Sequence, residues 1–361
     1  MKVYSLFLIT SGYVWSAIVE FKKGGVSAII HSESIPLPIS EKLDKEKLER
    51  DTLSATALAA ANLAVISKEK NVLLSGNIVV LGAPWYIGET KIINQSYKRN
   101  TTIRQDLLDS LTKEQINNFE EENSLHDAVI LEKKITNITL NGYTTLEPFN
   151  KKANSLAFSL FFSLTTKNLK AKLDEIFEKE LQYKEQYWHS LPIFLFGSLI
   201  NQTDQASHVN DFLILDVGAE VSEISIVREK SFLETASIPF GSNHMVRAVS
   251  DKLKMTIPLA SSLLRLQKEG GSNEINNSRL SDIFLSQESP WKALLLPSLL
   301  NLAGGLSLPT TLYLICDSDT KKFFKQTLEK EDYVESALSG SKFSIVEIDF
   351  KNFCNSLSLT I

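Results

Sequence analysis

The chain has 361 residues, of which 43% are apolar and 22% charged, and its net charge is −5. This length favours two or three domain-sized units, and this composition excludes global disorder. A mildly acidic balance gives no general attraction to nucleic acid or anionic lipid. The two cysteines, Cys316 and Cys354, indicate neither a disulfide framework nor a cysteine-rich metal site. We expect a cytoplasmic protein that does not insert into a membrane, because no segment reaches the ~20 apolar residues of a membrane span. The sequence does not exclude peripheral association of the protein with a membrane.

The N-terminal residues predict three consecutive antiparallel strands joined by short glycine-containing turns. The strands are Val3–Ile9, Tyr13–Phe21 and Val26–His31. An alanine-rich helix follows over Leu43–Lys70, and its small side chains favour close packing on a sheet.

Residues 76–190 predict a small α+β subdomain, because strands and helices alternate there without a repeat of the opening pattern. The predicted elements are the strand Asn77–Gly82, the turn Ala83–Trp85, the helix Thr102–Glu122, the strands Asp127–Ile135, Ile138–Tyr143 and Ala157–Leu164, and the helix Thr166–Glu178.

Residues 191–361 repeat the three-strand opening of the chain, in Phe212–Gly218, Val221–Val227 and Lys230–Ile238. Such an internal repeat indicates a duplicated architecture. The later predicted elements are the helix Ser242–Leu253, a helix opened by Thr256–Pro258, the polar loop Gly270–Ser278, the helix Gln287–Ala303, the strand Thr311–Cys316 and the helix Ser318–Glu329.

Two strand–turn–strand units at the start of duplicated lobes are typical of a phosphate clamp. Backbone N–H groups of a tight turn can converge on phosphate oxygens, and glycine lets the backbone approach the ligand. Asp216 ends a strand and Gly218 lies in the turn, so a carboxylate for hydrated Mg²⁺ would stand beside the turn. An ordinary β-turn is the alternative interpretation.

The segment Leu215–Val227 resembles the second phosphate motif of the actin-like ATPases, a group that includes sugar kinases and heat-shock chaperones. Thr235–His244 is similar to the FtsA and PilM branch of that group, which also carries an inserted subdomain. The resemblance implies an α/β, two-lobed actin-like fold, ribonuclease H-like and duplicated, with an inserted small α+β subdomain in the first lobe. The implied units are residues 1–75, 76–190 and 191–361, with the C-terminal return to the first lobe reduced or missing.

The resemblance also implies the residues that would hold ATP and Mg²⁺. They are Ser11, Gly12, Asp216, Gly218 and Ala219, with Asp216 as the residue for the metal.

Several departures from the family pattern predict that ATP hydrolysis is weak or lost. Leu8 and Thr10 stand where the family has Asp and Gly. Glu220 would bring a carboxylate toward phosphates, which costs on the order of 4 kcal/mol for one such pair at 4 Å and an effective dielectric near 20. The Gly-Gly turn of the adenosine site is replaced by Cys316–Asp319. The chain therefore reads as a degenerate ATPase in which ATP and Mg²⁺ binding is possible or already lost.

If ATP hydrolysis is weak or lost, the resemblance implies that the chain functions by binding partner proteins. FtsA tethers a tubulin-like division protein, and PilM binds a short peptide from a pilus membrane protein. Trp85 and Tyr86 follow a strand beside a proline, as interface anchors often do. The alternative is that both side chains pack inside the subdomain. The tail Phe350–Ile361 lacks the basic amphipathic helix with which FtsA-type proteins reach the membrane, so the chain is either reduced or incomplete there.

The sequence thus predicts a cytoplasmic FtsA-type scaffold of cell division, found at the inner face of the membrane through its partners. A PilM-like scaffold of type IV pilus assembly is one alternative, and an active actin-like ATPase or kinase is another. We expect protein partners and no nucleic acid, and the fold also allows a homo-oligomer or filament.

Overall fold

The computed structural model describes residues 2–21, 28–182, 185–206, 209–268, 274–330 and 342–348, with the backbone alone for 201–206 and 274–277. These residues form three β-sheets and eight helices. None of the described helices is long and apolar enough to cross a membrane. The predicted turn at residues 23–25 and the tail from residue 350 lie outside the described residues.

The first sheet joins an N-terminal meander to two later strands in the order β3-β2-β1-β4-β9. The first three strands pair antiparallel, and β4 and β9 continue the sheet in parallel. The bounds are β1 Lys2–Ile9, β2 Tyr13–Phe21, β3 Ala28–Pro36, β4 Asn77–Leu81 and β9 Gln186–Ser190. The strands β4 and β9 fall within residues 76–190, which the sequence assigns to the insert. By sheet membership they belong to the first lobe.

Two helices, α1 (Lys45–Glu69) and α3 (Lys167–Leu181), pack on one face of the first sheet. The side chain of Asp44 caps α1 by accepting a hydrogen bond from the Lys47 N–H. The alanines on the inner face of α1 are buried, which allows the close approach to the sheet that the sequence predicts.

The second sheet has the same strand order as the first, β12-β11-β10-β13-β14. The bounds are β10 Phe212–Val217, β11 Ser222–Arg228, β12 Ser231–Ile238, β13 Thr311–Cys316 and β14 Ser344–Ile348. Its outer face is covered by four helices, α5 Ser242–Leu253, α6 Ile257–Lys268, α7 Glu274–Ala303 and α8 Lys321–Leu328. The repeated strand order agrees with the internal repeat read from the sequence.

The helix α4 (Leu191–Ala206) lies between the two sheets. One hydrophobic core contains α4 residues such as Phe194 together with Leu6 of the first sheet and Ile214 of the second. Most of the described side chains of α4 are buried, as expected for a helix that is apolar on all sides. The two lobes are therefore joined by a continuous apolar core.

A third sheet forms the insert, in the order β5-β8-β6-β7. Its bounds are β5 Ile87–Thr102, β6 Ala128–Leu140, β7 Tyr143–Thr144 and β8 Lys152–Thr166. The helix α2 (Gln105–Glu122) shares a hydrophobic core with this sheet, in which Phe119 packs on Phe162. The insert is an antiparallel α+β unit, as the sequence predicts.

Several elements differ from the sequence predictions. The two strands expected over 127–143 are one strand, β6, in which a register shift near Ile135 interrupts the alternation. β5 was not predicted because its polar residues are typical of loops, and α4 because a short apolar run does not distinguish helix from strand. The expected loop at 270–278 is already helical from Glu274.

Candidate functional site

The two turns that the sequence marks as a phosphate clamp have equal lengths. Ile9 and Val14 form the last pair between β1 and β2, and Val217 and Ser222 form the last pair between β10 and β11. Four residues lie between the last paired residues in each lobe, and in the first lobe the fourth, Tyr13, is already part of β2 through its pairing with Pro36. We call residues 10–13 the first turn and residues 218–221 the second turn.

The first turn and the second turn touch each other. The Glu220 N–H donates a hydrogen bond to Ser11 Oγ over 3.1 Å, and the Ser11 side chain is buried. A Cβ atom added to Gly12 would lie only 2.6 Å from the Cβ of Ala219. The predicted residues Ser11, Gly12, Gly218 and Ala219 are therefore brought together, but in direct contact. A phosphate chain has no space between them in this arrangement.

The first turn also uses its own N–H groups. Thr10 Oγ1 accepts hydrogen bonds from the N–H of Gly12 (3.2 Å) and of Tyr13 (3.1 Å). The same hydroxyl donates to the Tyr13 carbonyl oxygen over 2.9 Å. A threonine side chain thus satisfies the donors that a phosphate-binding nest would present to its ligand.

The second turn is held by the start of α5. The carbonyl oxygens of Gly218 and Ala219 accept hydrogen bonds from the N–H groups of Ser242 and Asn243, each 2.9 Å long. A side chain at Gly241 would overlap both carbonyl oxygens, so only glycine fits there. These contacts direct the turn carbonyls toward α5 and fix the backbone of the second turn.

The Glu220 carboxylate is buried and faces α5. It accepts hydrogen bonds from Asn243 Nδ2 (2.7 Å) and from Arg247 Nη1 (2.8 Å) and Nη2 (2.6 Å). Arg247 Nε in turn donates to the Ser40 carbonyl oxygen of the first lobe over 2.9 Å. The carboxylate that the sequence places near the phosphates is therefore neutralised by a two-pronged ion pair.

Asp216 lies opposite Glu223 in the register of β10 and β11, and Tyr86 Oη donates to Glu223 Oε1 over 2.6 Å. Burial, together with the charge of Glu223, raises the pKa of Asp216 to about 8. Burial also raises the pKa of Glu223 to about 7, against the lowering effect of the Tyr86 hydrogen bond. Near neutral pH these pKa values favour a protonated Asp216 and leave Glu223 about half protonated.

The residues present do not fit ATP and Mg²⁺ well. Magnesium binds carboxylates and keeps several of its waters, so one or two carboxylates can hold it where phosphates supply the other ligands. Among the described residues, no group of three or more His, Cys, Asp or Glu side chains could hold a metal ion. What argues against a phosphate-and-metal site around Asp216 is the contact between the turns, which leaves no space for phosphates.

The segment after β13, where the family has its adenosine turn, is closed by its own side chains. Asp317 Oδ1 accepts a hydrogen bond from the Asp319 N–H over 2.8 Å. Lys268 Nζ donates to Ser318 Oγ over 2.7 Å and so ties the segment to the end of α6. The segment forms a capped turn that leads into α8.

Trp85 and Tyr86 are only 9% and 7% exposed. The Tyr86 hydroxyl bonds to Glu223 in the other lobe, and the Trp85 carbonyl oxygen accepts a hydrogen bond from Thr165 Oγ1 over 2.6 Å. Both side chains are therefore buried, as the packing alternative expects, but they lie in the core of the first lobe and not in that of the inserted subdomain.

The same two residues nevertheless line a groove of about 260 Å³ between the first lobe and the insert. We call it the insert groove. Its lining comes from the segment after β4, the α2–β6 connection and the end of β8, namely Pro84, Trp85, Tyr86, Ile87, Ser124, Leu125, Asp127, Ala128, Leu164, Thr165 and Thr166. The volume is just below the ~300 Å³ at which drug-sized pockets begin, so it suits one or two apolar side chains.

Sequence reasoning missed the residues that close the cleft, Thr10, Gly241, Asn243 and Arg247. A hydroxyl residue inside a turn is a local signal for a side-chain-closed turn, so Thr10 could have been found. Asn243 and Arg247 are four residues apart and therefore share one face of a helix. Their common partner Glu220 is distant in sequence, so no local pattern predicts that they contact it.

Comparison with known proteins shows the fold. No family model matches the chain, and no curated protein matches it. Among solved structures, a PilM-PilN type IV pilus biogenesis complex matches with a TM-score of 0.63 at 12% identity, over 97% of this chain and 89% of that one.

Two further solved structures are more distant. The ethanolamine utilization protein EutJ from Carboxydothermus hydrogenoformans has a TM-score of 0.44 at 8% identity, over 96% of this chain and 85% of that one. A Bacteroides thetaiotaomicron protein of unknown function with an actin-like ATPase fold has a TM-score of 0.42 at 10% identity, over 99% and 96%.

The chain therefore has the two-lobed actin-like fold that the sequence predicts. Within that class, the structure resembles PilM over nearly its whole length.

Proposed function

We propose that this chain is a PilM-like scaffold, which recruits a membrane-protein partner in a type IV pilus assembly machine and hydrolyses ATP weakly or not at all. It acts at the inner face of the membrane through that partner. The contact between the first turn and the second turn carries the proposal, because it occupies the space that phosphates need in this fold.

The rigidity of that contact supports loss of turnover. Phosphoryl transfer depends on positioned phosphates and on neutralisation of their charge. Here Thr10 occupies the N–H groups of Gly12 and Tyr13, and α5 holds the second turn. Opening the cleft would require breaking these bonds and separating the lobes, which share one apolar core. An active ATPase or kinase is correspondingly disfavoured.

The insert groove supports recruitment of a peptide. Its lining is mainly apolar, and Ile87 at its edge is 50% exposed although it is a large aliphatic residue. A short segment of a partner with one or two apolar side chains matches its volume. The solved structure that the chain resembles is itself a complex, of PilM with PilN.

The test is a binding titration with dye-labelled peptides that cover the cytoplasmic segments of the PilN-like membrane protein from the same organism. We expect saturable binding by the full chain. Ile87→Glu should weaken it about tenfold or more, because a carboxylate would be placed against an apolar surface. Ile92→Glu is the matched control, since Ile92 lies on the same strand, is 66% exposed and does not line the groove.

Equal binding by both variants, or no binding by the wild type, would contradict the proposal. The same titration with a tubulin-like division protein separates the alternative. Binding to that protein in place of the pilus peptides would favour the FtsA-type role in cell division.

A further inference from the structure

The loop between β6 and β8 exposes three large apolar side chains at one end of the insert. Leu146 is 98% exposed, Tyr143 79% and Phe149 44%. Leu146 has the largest exposed fraction among the large hydrophobic residues that the structure describes. Apolar side chains gathered at a protruding loop are a common sign of an interaction site.

This loop has a defined conformation. Asn141 and Gly142 both have positive φ (50° and 83°), and they connect the paired residues Leu140 and Tyr143 as a two-residue hairpin turn. Asn141 Oδ1 accepts hydrogen bonds from two N–H groups of β8, and Pro148 is buried beneath the loop. Tyr143 and Leu146 are therefore presented by a braced scaffold.

Cations surround the apolar loop. We call residues 97–106 and 141–152 the insert tip. The two segments are adjacent because Thr102 pairs with Lys152 and the Ile103 N–H donates to the Lys151 carbonyl oxygen. The insert tip carries five exposed cations, Lys98, Arg99, Arg104, Lys151 and Lys152, against the carboxylates Asp106 and Glu147. It is therefore a basic region in a chain whose net charge is −5.

We infer that the insert tip is a peripheral contact site for an anionic lipid bilayer. Leu146 and Phe149 would enter the interface, Tyr143 would lie at the level of the headgroups, and the lysines and arginines would face anionic lipid. Aromatic rings with one polar end favour such interfaces.

The shape and charge of the insert tip favour a bilayer over other occupants. A protein interface of standard size buries about 800 Å² on each side, with anchors seated in pockets, whereas this surface is a narrow convex loop. A second copy in symmetric pairing would bring the five cations against five more. A single-stranded nucleic acid would stack on aromatic rings and would not use the fully exposed Leu146.

The inference stands independently of the proposed function. The insert groove lies at the Ile87–Leu164 end of the insert sheet, and the insert tip lies at the Thr102–Lys152 end. The two sites are thus roughly 40–50 Å apart along the strands. Loss of either kind of binding can therefore be measured without disturbing the other.

The test is co-sedimentation of the full chain with phosphatidylcholine vesicles that either contain or lack phosphatidylglycerol. We expect the chain to pellet with the anionic vesicles only, and less as salt is added. Leu146→Ser with Phe149→Ser should lower the vesicle affinity about tenfold. Lys98→Gln with Arg99→Gln should lower it and weaken the salt dependence. Leu73→Ser is the control, because Leu73 is 85% exposed outside the insert.

Two results would overturn the inference. One is that the wild type stays in the supernatant with anionic vesicles. The other is that the tip variants and the Leu73 control pellet equally. If the tip variants instead lose binding to an acidic protein or an oligonucleotide while vesicle binding is unchanged, the insert tip serves that partner and the bilayer assignment is wrong. Unchanged circular dichroism would show that the variants are folded.

Discussion

The first turn and the second turn have the same length and lie in sheets with the same strand order, yet they are held in different ways. The first turn is closed by one of its own side chains, Thr10. The second turn is held from outside, by the N-terminus of α5 and by the ion pair between Glu220 and Arg247. Only the first turn thereby occupies N–H groups that a phosphate clamp would present, whereas the second turn is held through its carbonyl oxygens and the Glu220 carboxylate.

The two lobes also differ in the strand pair next to each turn. Counting back from the last strand pair, Leu8 and Trp15 in the first lobe occupy the places of Asp216 and Glu223 in the second. The first pair is apolar and buried, whereas the second is a carboxyl pair with raised pKa values. One backbone architecture thus accepts an apolar or an ionisable pair at the same position, and only the ionisable pair makes stability depend on pH.

Removing the cation that holds the second turn should have the largest effect. Arg247→Met would leave the Glu220 carboxylate buried and without its ionic partner, which costs about 3–5 kcal/mol of the free energy of unfolding. Urea denaturation would measure it. Arg265→Met on α6 is the control, because Arg265 is exposed and its loss should cost less than about 0.5 kcal/mol. A loss below about 1 kcal/mol for Arg247→Met would mean that the pair does not hold the turn.

The contact between the turns can be measured with a double-mutant cycle. Gly12→Ala should destabilise the protein by about 1–3 kcal/mol, because the new Cβ would overlap that of Ala219. Ala219→Gly in the same chain should recover most of the loss. Gly197→Ala is the control, since that Cβ would meet only Lys134 Nζ at 3.8 Å. Additive effects of the two changes would show that the turns are apart.

The carboxyl pair predicts a pH-dependent effect. The pKa of Asp216 and that of Glu223 are both raised in the folded chain, so it keeps protons that the unfolded chain releases above about pH 4. The free energy of unfolding should therefore fall by up to about 2 kcal/mol per pH unit between pH 5 and 7, and level off above about pH 9. Asp216→Asn with Glu223→Gln should flatten this slope, and an unchanged slope would contradict the assignment.

The sequence predicts the strands best where apolar side chains alternate or cluster strongly. The strand over Thr311–Cys316 coincides with β13, and the predicted three-strand meander agrees with β10, β11 and β12 to within a few residues. The duplication follows from these same segments. α4 and β5 were not predictable in this way, because the first is apolar all round and the second is largely polar.

The closed cleft was not predictable from local pattern. Serine and glycine at positions 11 and 12 are equally compatible with a phosphate loop and with an ordinary turn. The outcome depends on contacts between residues more than 200 positions apart, Ser11 with Glu220 and Gly12 with Ala219. The sequence does indicate that Glu220 opposes phosphate, but only the structure shows that Arg247 neutralises it.

The most direct test of the closed cleft is isothermal titration of the full chain with MgATP. Because the turns touch and the N–H groups of Gly12, Tyr13 and Glu220 are occupied, we predict no saturable heat at ATP concentrations up to about 1 mM. A phosphate-release assay on the same sample should stay at the protein-free background. Saturable binding with a micromolar Kd would show that the first turn and the second turn separate to admit phosphates, and it would contradict the account.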